Sequence, residues 1–564
     1  MSEQRGTVTH GLVSGYPSTM GDDVPLNTTT LIRHAARTYG DQEILYRNAE
    51  GWQRYTYRDC YERVGRAADA LRSLGVRPGD RVGVLDWNSR RYFELYYAIP
   101  GLGAVLLQLN LRLSVDELAY IVNHSEATHL CVDETMLPLA EALAPHLPRV
   151  KVWIVMTDKP LHDLDTTLRP LHHHEDLLAA AVPIADWPLI DERSAYAACY
   201  TTGTTGRSKG IYYSHRSIYL HSLNLAAMVG LTMDDCTMLI TPMFHAQGWG
   251  LPQAATLTAN KILLPGRYST EDAAFLIDSM VAEGVTLASG VPSILTPLLS
   301  YIRSLPIKPC LSGLRLLCGG SEAPLSLMVG WYELTAAEII HAYGSTETSP
   351  LLTVNRLKPT LRGRLTAEET WNVRRTQGLP GIGVDVKILA EDGRELPHDG
   401  ESVGEICARG PWIATSYHQM PETADRFVDG YWRSGDLGTI DAQGYLKLTD
   451  RLKDVIKSGG EWISSIDMEN ALVGHEAVRE AVVVGLPHPR WAERPLALVV
   501  LESDRRATAE ELIEHLAASF SRWQLPDRIL IVESIPKTSV GKLNKKALRA
   551  EYAGFYTQAF GDGA

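Results

Sequence analysis

The sequence lacks the features that mark several large classes of protein. Its 564 residues include 54 Lys plus Arg against 67 Asp plus Glu, a net charge of -13, so there is no overall positive field to attract nucleic acid. Its seven cysteines show no CxxC spacing, which argues against a disulfide framework or zinc cluster and suits reduced thiols in the cytoplasm. No basic segment followed by an apolar run opens the chain, so no signal peptide is expected.

The sequence also lacks an uninterrupted membrane-spanning run. The longest charge-free stretch, residues 236–260, contains Pro242, His245, Gln247 and Pro252, which interrupt an apolar helix. We therefore predict no transmembrane segment and interpret this stretch as a buried element near a site. With hydrophobic residues at 45% and charged residues at 21%, the composition is typical of a large globular protein with several domains.

The order of apolar and helical segments predicts an α/β fold. From about residue 31, short β-branched runs alternate with helical stretches, which favours parallel sheets covered by helices. After Gln377 the pattern changes to short strands and turns, which indicates a small antiparallel β subdomain, and the last hundred or so residues return to an α/β pattern. The three consecutive histidines at 172–174 are assigned to a solvent-exposed loop, with metal binding as a lesser alternative.

The strongest local signal is YTTGTTGRSKG, residues 200–210. Glycine makes backbone amides accessible, and the surrounding hydroxyl groups together with Arg207 and Lys209 add donors for phosphate oxygens. The spacing differs from the P-loop of ordinary NTPases, because a strand-like IYY follows in place of a helix. A flexible polar hairpin is the alternative interpretation of such a composition.

This segment resembles the phosphate loop of the adenylate-forming enzymes, which include acyl-CoA synthetases, luciferase and the adenylation domains of peptide synthetases. Further segments match the family's motifs in the family's order, and the resemblance covers nearly the whole chain from about residue 30. These segments are PMFHAQGWG (242–250), GGSEAP (319–324), YGSTETSP (343–350), WRSGDLG (432–438), DRLKDVIKSGGEWIS (450–464) and PKTSVGKLNKKALR (536–549).

The resemblance implies a division into two domains. Residues 1–452 would form a large N-terminal AMP-binding domain of parallel sheets and helices, with the β subdomain near 377–450. Residues 453–564 would form a smaller, mobile α+β domain, with Lys453 at the hinge.

The resemblance also implies which residues bind ATP and magnesium. The Tyr343 ring would stack on adenine, Thr346 would contact the α-phosphate, and Glu347 would bind Mg²⁺, a hard cation that prefers carboxylate oxygen. Asp436 would accept the ribose hydroxyls and Arg451 would contact ribose or phosphate; taken alone, such an Asp, or the TET segment, is more often structural. The implied ATP- or AMP-binding residues are Thr201, Thr202, Gly203, Thr204, Thr205, Gly206, Ser208, Lys209, Gly320, Ser321, Glu322, Tyr343, Gly344, Thr346, Asp436 and Arg451.

The remaining implied roles concern catalysis, the acyl group and CoA. Lys542 would reach the carboxylate and the α-phosphate during adenylation, together with Thr346, Glu347 and His245. His245, Trp249, Gly344 and Ser345 would line the acyl site, with Trp249 as a gate and Gly344 leaving space that a bulky residue would fill; in isolation His245 and Trp249 resemble core residues. The residues implied to bind CoA are Lys457, Gly459, Gly460 and Trp462.

The predicted function is an ATP-dependent carboxylic acid:CoA ligase, with medium- or long-chain fatty acids as the expected substrates and ATP, Mg²⁺ and CoA as the expected cofactors. Branched, hydroxylated, alicyclic or aromatic acids remain open, as do an adenylating enzyme that serves a carrier protein and homo-oligomerisation. A catalytically silent nucleotide-binding homologue is the alternative from a different class; it would be expected to lose Glu347, Arg451 or Lys542, and all three are present. A serine amidase is a weaker alternative.

Overall fold

The structure is a computed structural model. It describes residues 8–9, 12–13, 15–16, 18–201, 207–459, 461–502, 505–538 and 542–556. Two of the predicted site segments, residues 202–206 of the phosphate loop and Gly460, lie outside these ranges.

Strands and helices alternate over most of this length, as the sequence pattern predicts. The strands are β1 Val8–Thr9, β2 Leu12–Val13, β3 Glu43–Asn48, β4 Gly51–Thr56, β5 Arg81–Leu85, β6 Val105–Gln108, β7 His129–Asp133, β8 Val152–Met156, β9 Leu171–His173, β10 Ala195–Thr201, β11 Lys209–Ser214, β12 Cys236–Met238, β13 Lys261–Leu264, β14 Leu287–Gly290, β15 Arg315–Cys318, β16 Glu338–Gly344, β17 Leu351–Val354, β18 Leu379–Pro380, β19 Asp385–Leu389, β20 Gly404–Arg409, β21 Phe427–Val428, β22 Tyr431–Ile440, β23 Leu446–Arg451, β24 Ile456–Ser458, β25 Glu461–Ile463, β26 Val478–His488, β27 Ala492–Leu501 and β28 Arg528–Ile531.

The helices begin mostly at side-chain caps: Thr56, Ser114, Thr366 and Thr508 each form a capping box with an acidic residue three positions later. The helices are α1 Thr29–Thr38, α2 Tyr57–Ser73, α3 Arg90–Gly101, α4 Val115–His124, α5 Leu137–Leu143, α6 His174–Ala180, α7 His215–Val229, α8 Leu251–Leu257, α9 Ala273–Glu283, α10 Pro292–Ser304, α11 Leu325–Thr335, α12 Ala367–Arg374, α13 Ser465–Val473, α14 Ala509–Ala517 and α15 Lys545–Glu551.

Two large sheets form the body of the chain. A seven-stranded sheet runs in the order β11-β10-β6-β5-β7-β8-β9, and a nine-stranded sheet in the order β18-β17-β16-β15-β14-β12-β13-β3-β4. Their central strands are parallel and almost entirely buried, while antiparallel strands close the edges at β11, β4 and β17. Sheets of this kind need helices on both faces, and they bind ligands beyond the carboxyl ends of their strands.

Two five-stranded sheets and the two-stranded sheet β1-β2 complete the described fold. The antiparallel sheet β19-β20-β22-β21, with β23 paired to β22, spans residues 385–451, the part of the chain in which a β subdomain is predicted near 377–450. The sheet β25-β24-β27-β26, with β28 paired in parallel to β27, has its own apolar core under α13 and α14. The expected domain boundary at Lys453 falls in the turn between β23 and β24.

The fold corrects one expectation and agrees with another. His173 and His174 are buried at the start of α6, where Glu175 pairs with Arg63 and Arg91, so the prediction of a solvent-exposed histidine loop is wrong. Residues 236–260 are largely buried, as expected, and form β12, a left-handed turn and α8. Across the ranges that the structure describes, no helix combines the length and the apolar character needed to cross a membrane.

Candidate active site

The phosphate-loop segment forms a β-hairpin. β10 and β11 pair antiparallel, and Thr201 faces Lys209 at the end of the ladder, with residues 202–208 between the two strands in the sequence. Ser208 is buried, and the Lys209 ammonium lies 4.7 Å from the centre of the Tyr417 ring. The strands on either side of the loop thus pair as in a hairpin, and phosphate binding by this segment stays a prediction.

The turn after β15 requires glycine. A Cβ on Gly319 would lie 2.6 Å from the Ala342 carbonyl oxygen of the neighbouring strand β16, and 3.4 Å from the Trp249 ring. Gly320 has φ +79°, a conformation that side chains disfavour, and a Cβ there would lie 3.3 Å from Cε of Lys542. The turn therefore lets Trp249 and Lys542 approach the backbone at the carboxyl end of β15.

The carboxylate of Glu322, in the same turn, is directed at two other side chains. Its Oε1 accepts hydrogen bonds from Asn470 Nδ2 at 2.8 Å and from Arg375 Nη2 at 3.3 Å. Burial raises the pKa of Glu322 to about 7, and the Arg375 guanidinium opposes that rise. Both partners bind the same oxygen, Oε1. The contact of Glu322 with the nucleotide stays a prediction.

The next strand, β16, ends in the predicted adenine and magnesium segment. Ser345 caps the short 3-10 helix Thr346–Thr348, so this TET segment is a helix cap as well as a candidate site. Glu347 is buried, and its Oε1 accepts a hydrogen bond of 2.6 Å from the Tyr417 hydroxyl. Tyr417 thus lies between Glu347 and Lys209, and links the two segments that the sequence assigns to magnesium and phosphate.

The two predicted ribose-binding residues lie opposite each other. Asp436 on β22 pairs in register with Arg451 on β23, and their side chains form an ion pair of 3.3 Å. The other Asp436 oxygen accepts a 2.7 Å hydrogen bond from the Tyr343 hydroxyl. Burial and the neighbouring Asp436 raise the pKa of Tyr343 well above its ordinary value, so its hydroxyl stays protonated as a donor.

Lys542, in the C-terminal part of the chain, lies near Asp436, Arg451 and Glu347. Burial, and then the positive charge of Arg451, lowers the pKa of Lys542 to about 8, while Asp436 and Glu347 favour its charged form. Burial, with Lys542 contributing, lowers the pKa of His245 to about 3, so its imidazole is neutral near pH 7. The Lys542 ammonium group therefore lies among residues that the sequence assigns to nucleotide, metal and acyl binding.

The backbone around Trp249 is unusual. Ala246, Gln247, Gly248, Trp249 and Gly250 all have φ between 45° and 74°, a left-handed turn of mostly non-glycine residues. Single residues in this region cost free energy, so the surroundings must hold the turn in place. Gln247, which is fully buried, is bonded through its backbone and side-chain amides to Gln108.

The expectation of open space beside Gly344 is wrong for this backbone. A Cβ on Gly344 would lie 1.8 Å from the Pro350 carbonyl oxygen and 2.9 Å from the Thr348 hydroxyl. Glycine is present because the backbone of residues 345–350 folds against it, and a larger residue requires that segment to move.

The described residues predicted to bind CoA lie on or beside β24 and β25. Lys457 and Trp462 are cross-strand partners on β24 and β25, both exposed, with the Lys457 ammonium 5.9 Å from the Trp462 ring. Gly459 has φ +62°, and a Cβ there would lie 3.2 Å from the Trp491 ring.

Sequence reasoning missed Tyr417, Arg375 and Asn470. Tyr417 follows WIATS in no motif that we interpreted, and the other two act across long separations in the chain. Only the pairing of these residues with Glu347 and Glu322 in space identifies them.

Comparison with known proteins identifies the family of the chain. Residues 32–418 match the model of the AMP-binding enzyme family, and residues 467–542 match the AMP-binding enzyme C-terminal domain. The chain is 43% identical over 551 residues to a long-chain-fatty-acid–CoA ligase of Thermus thermophilus, covering 96% of this chain and 98% of the relative. It is 38% identical over 532 residues to a 3-methylmercaptopropionyl-CoA ligase of Ruegeria lacuscaerulensis, covering 94% and 97%.

A solved structure supports the fold. The anthranilate CoA ligase AuaEII in complex with anthranoyl-AMP superimposes with a TM-score of 0.84 at 23% identity, covering 96% of this chain and 100% of that one. At this identity the likeness shows the fold alone. Together with the two matched family models and the 43% identical relative, it establishes that this chain belongs to the AMP-binding enzyme family.

Proposed function

We propose that the protein is an ATP-dependent carboxylic acid:CoA ligase that works through an acyl-adenylate. In the first half-reaction a carboxylate oxygen attacks the α-phosphorus of ATP, the bond to the β-phosphate breaks, and pyrophosphate leaves. In the second, the CoA thiol loses its proton and attacks the acyl carbonyl; the thioester forms and AMP leaves. The observation that carries the proposal is the placement of Lys542 beside Gly320 and within the field of Asp436, Arg451 and Glu347.

Each side chain has a role that its chemistry suits. Asp436 and Tyr343 would hold ribose and adenine, while the hydroxyls and amides of the 201–209 hairpin would bind the leaving phosphates. The Lys542 ammonium would stabilise negative charge that develops on the attacked phosphate. Neutral His245 would line the acyl site without placing a second positive charge beside Lys542.

Glu347 suits Mg²⁺ as part of a shared site. Among the residues that the structure describes, no group of three or more His, Cys, Asp or Glu side chains could hold a metal ion by itself. Magnesium typically keeps several waters and binds through one or two carboxylates together with substrate phosphates. Glu347, buried and oriented by Tyr417, provides such a carboxylate near the phosphate hairpin. When bound, the ion would neutralise charge on the phosphates of ATP.

The separate positions of Lys542 and Lys457 support two orientations of residues 453–564. In the orientation described here Lys542 faces the site, and Lys457 and Trp462 are exposed. We propose a boundary at Lys453, in the turn between β23 and β24, about which residues 453–564 rotate to bring Lys457, Gly459, Gly460 and Trp462 to the adenylate for CoA attack.

We propose a medium- or long-chain fatty acid as the substrate, by analogy with the Thermus thermophilus relative. The Ruegeria lacuscaerulensis relative is named for a different acid, so the branched, hydroxylated, alicyclic and aromatic acids belong in the same test. We also propose a cytoplasmic location, which the free state of all seven cysteines supports.

The test is an acid panel assayed with ATP and Mg²⁺, with and without CoA, in which pyrophosphate, AMP and thioester are measured separately. The proposal expects pyrophosphate release that depends on the acid, and AMP release that depends also on CoA. Pyrophosphate release with no thioester on any acid would instead favour delivery to a carrier protein. Nucleotide binding without pyrophosphate release on any acid would favour the catalytically silent homologue.

A further inference from the structure

The turn that contacts Lys542 also contacts the C-terminal sheet domain at a second point. Glu322, two residues beyond Gly320, accepts a hydrogen bond from Asn470 on α13, and Arg375, which donates to Glu322, lies 3.7 Å from Asp467 on the same helix. We name Glu322, Arg375, Asp467 and Asn470 the domain contact. It joins residues on either side of the proposed hinge at Lys453.

The Glu322 side chain is only 6% exposed, so its charge depends on these partners. A buried carboxylate must be paired and hydrogen-bonded, because its transfer out of water is costly. Asn470 supplies the shorter of the two bonds, 2.8 Å against 3.3 Å for Arg375. If α13 moved away, Glu322 would lose that donor and become hydrated, so the bond favours the orientation described here.

The position of Asn470 on α13 makes the domain contact sensitive to rotation. The first turn of α13 is attached close to the hinge, since Ser465 donates to Asp450 at 2.8 Å through its amide and at 2.7 Å through its hydroxyl. Asn470 lies five residues further along, about 7.5 Å along the helix axis. Because Glu322 precedes Lys453 in the chain and Asn470 follows it, a rotation at Lys453 would separate this pair.

Glu322 and Lys542 are linked through the same short turn. Lys542 reaches the site only while residues 453–564 lie in this orientation, and the domain contact stabilises that orientation. Resting on the function proposed above, we propose that Glu322 is a positioning residue for adenylation: through Asn470 it holds the C-terminal domain so that Lys542 remains at the nucleotide site.

The expected effect is confined to one half-reaction. A hydrogen bond to a charged group shifts an equilibrium by about tenfold to a hundredfold. Asn470→Asp replaces the donor with a second carboxylate, so acyl-adenylate formation, measured as single-turnover pyrophosphate release without CoA, should fall about tenfold or more. Thioester formation from a supplied acyl-adenylate and CoA should stay within about threefold of the unmodified protein or increase, because that step does not use Lys542.

A double variant tests the pairing directly. Glu322→Gln combined with Asn470→Asp restores an amide-to-carboxylate hydrogen bond with donor and acceptor exchanged, and should raise adenylation at least about threefold above that of Asn470→Asp alone. Asn470→Ala, which adds no charge, should reduce adenylation in the same direction and serves if Asn470→Asp does not fold. Glu476→Gln, which removes an exposed carboxylate of the same domain, is the control and should change neither half-reaction.

The outcomes separate this inference from the proposed function. If the unmodified protein releases no pyrophosphate with any acid of the panel, the proposed function fails first. If it performs both half-reactions, but folded Asn470 variants slow both equally or slow neither, the role of Glu322 is overturned. Failure of the double variant to recover adenylation, when each single variant folds, overturns it as well.

Discussion

The lowered pKa of Lys542 leads to a pH dependence that can be tested in the adenylation half-reaction alone. The ordinary lysine value of 10.5 falls to about 8 in this site, chiefly because of burial and Arg451. The charged form is the one that can stabilise negative charge on phosphate, and it is present below the folded-state pKa. Adenylation by the free enzyme should therefore be lost as the pH rises through about 8, by tenfold for each further pH unit.

Bound ATP should raise the pKa of Lys542. Its phosphates place negative charge beside Lys542 and favour the ammonium form, so the pKa of Lys542 rises in the complex. The profile of kcat/KM for ATP should break near pH 8, whereas the profile of kcat should break at a higher pH, because the first reports the free enzyme and the second the complex.

Two substitutions at Lys542 test how much its positive charge contributes to the adenylation rate. Lys542→Ala removes a charge directed at developing negative charge, which is worth about two to three powers of ten in rate, or about 2.7–4 kcal/mol of barrier. Its profile should be low and flat across pH 8. Lys542→Arg keeps a guanidinium that stays protonated throughout, so the residual activity of that variant should show no break near pH 8.

The assay is stopped-flow or quench-flow measurement of pyrophosphate from pH 6.5 to 9.5 with CoA omitted. Leaving CoA out matters because a free thiol titrates at about 8.5 and would add its own break. A kcat/KM profile that is flat from pH 7 to 9.5, or a break that persists unchanged in Lys542→Ala, would refute the reasoning. Circular dichroism and melting temperature at both ends of the range show whether each variant remains folded.

Three further substitutions test other parts of the site. Lys453→Pro fixes a backbone dihedral at the proposed hinge, so a folded variant should still form adenylate but transfer it poorly to CoA in single-turnover assays; equal losses in both steps would count against rotation there. Tyr417→Phe removes the 2.6 Å bond that orients Glu347, so the half-saturating Mg²⁺ concentration for pyrophosphate release should rise about tenfold, and an unchanged Mg²⁺ titration would separate Glu347 from the metal. Gly344→Ala places a Cβ 1.8 Å from the Pro350 carbonyl oxygen, so the free energy of unfolding should drop by about 1–3 kcal/mol. The activity of this variant should fall alike on all acids. A selective loss of activity on the longer acids would instead support an acyl pocket beside Gly344.

The paired strands around the phosphate-loop segment and the strand-ending turns could be predicted from the sequence pattern, whereas the roles of the candidate site residues come from the family resemblance and stay predictions. Those segments depend on local chemistry: glycine where backbone atoms approach closely, hydroxyl groups beside amides, and apolar runs whose length and flanks specify strands. The order of the strands within each sheet is not predictable in this way, because pairing such as β12 between β13 and β14 joins residues far apart in the chain.

The surroundings of individual side chains depend on burial and on contacts between distant parts of the chain. The sequence predicts an exposed histidine run at 172–174 because its neighbours are polar, but His173 and His174 are buried beside Glu175, which pairs with arginines of α2 and α3. It also predicts space beside Gly344, where the backbone of Pro350 in fact lies. Local composition determines which residues can bind phosphate or form a turn; the neighbours of each side chain, and hence its pKa, its free space and its partners in another domain, come only from the tertiary packing. Lys542 near pKa 8 and Glu322 bonded to Asn470 exist only once β15, β22 and α13 are assembled.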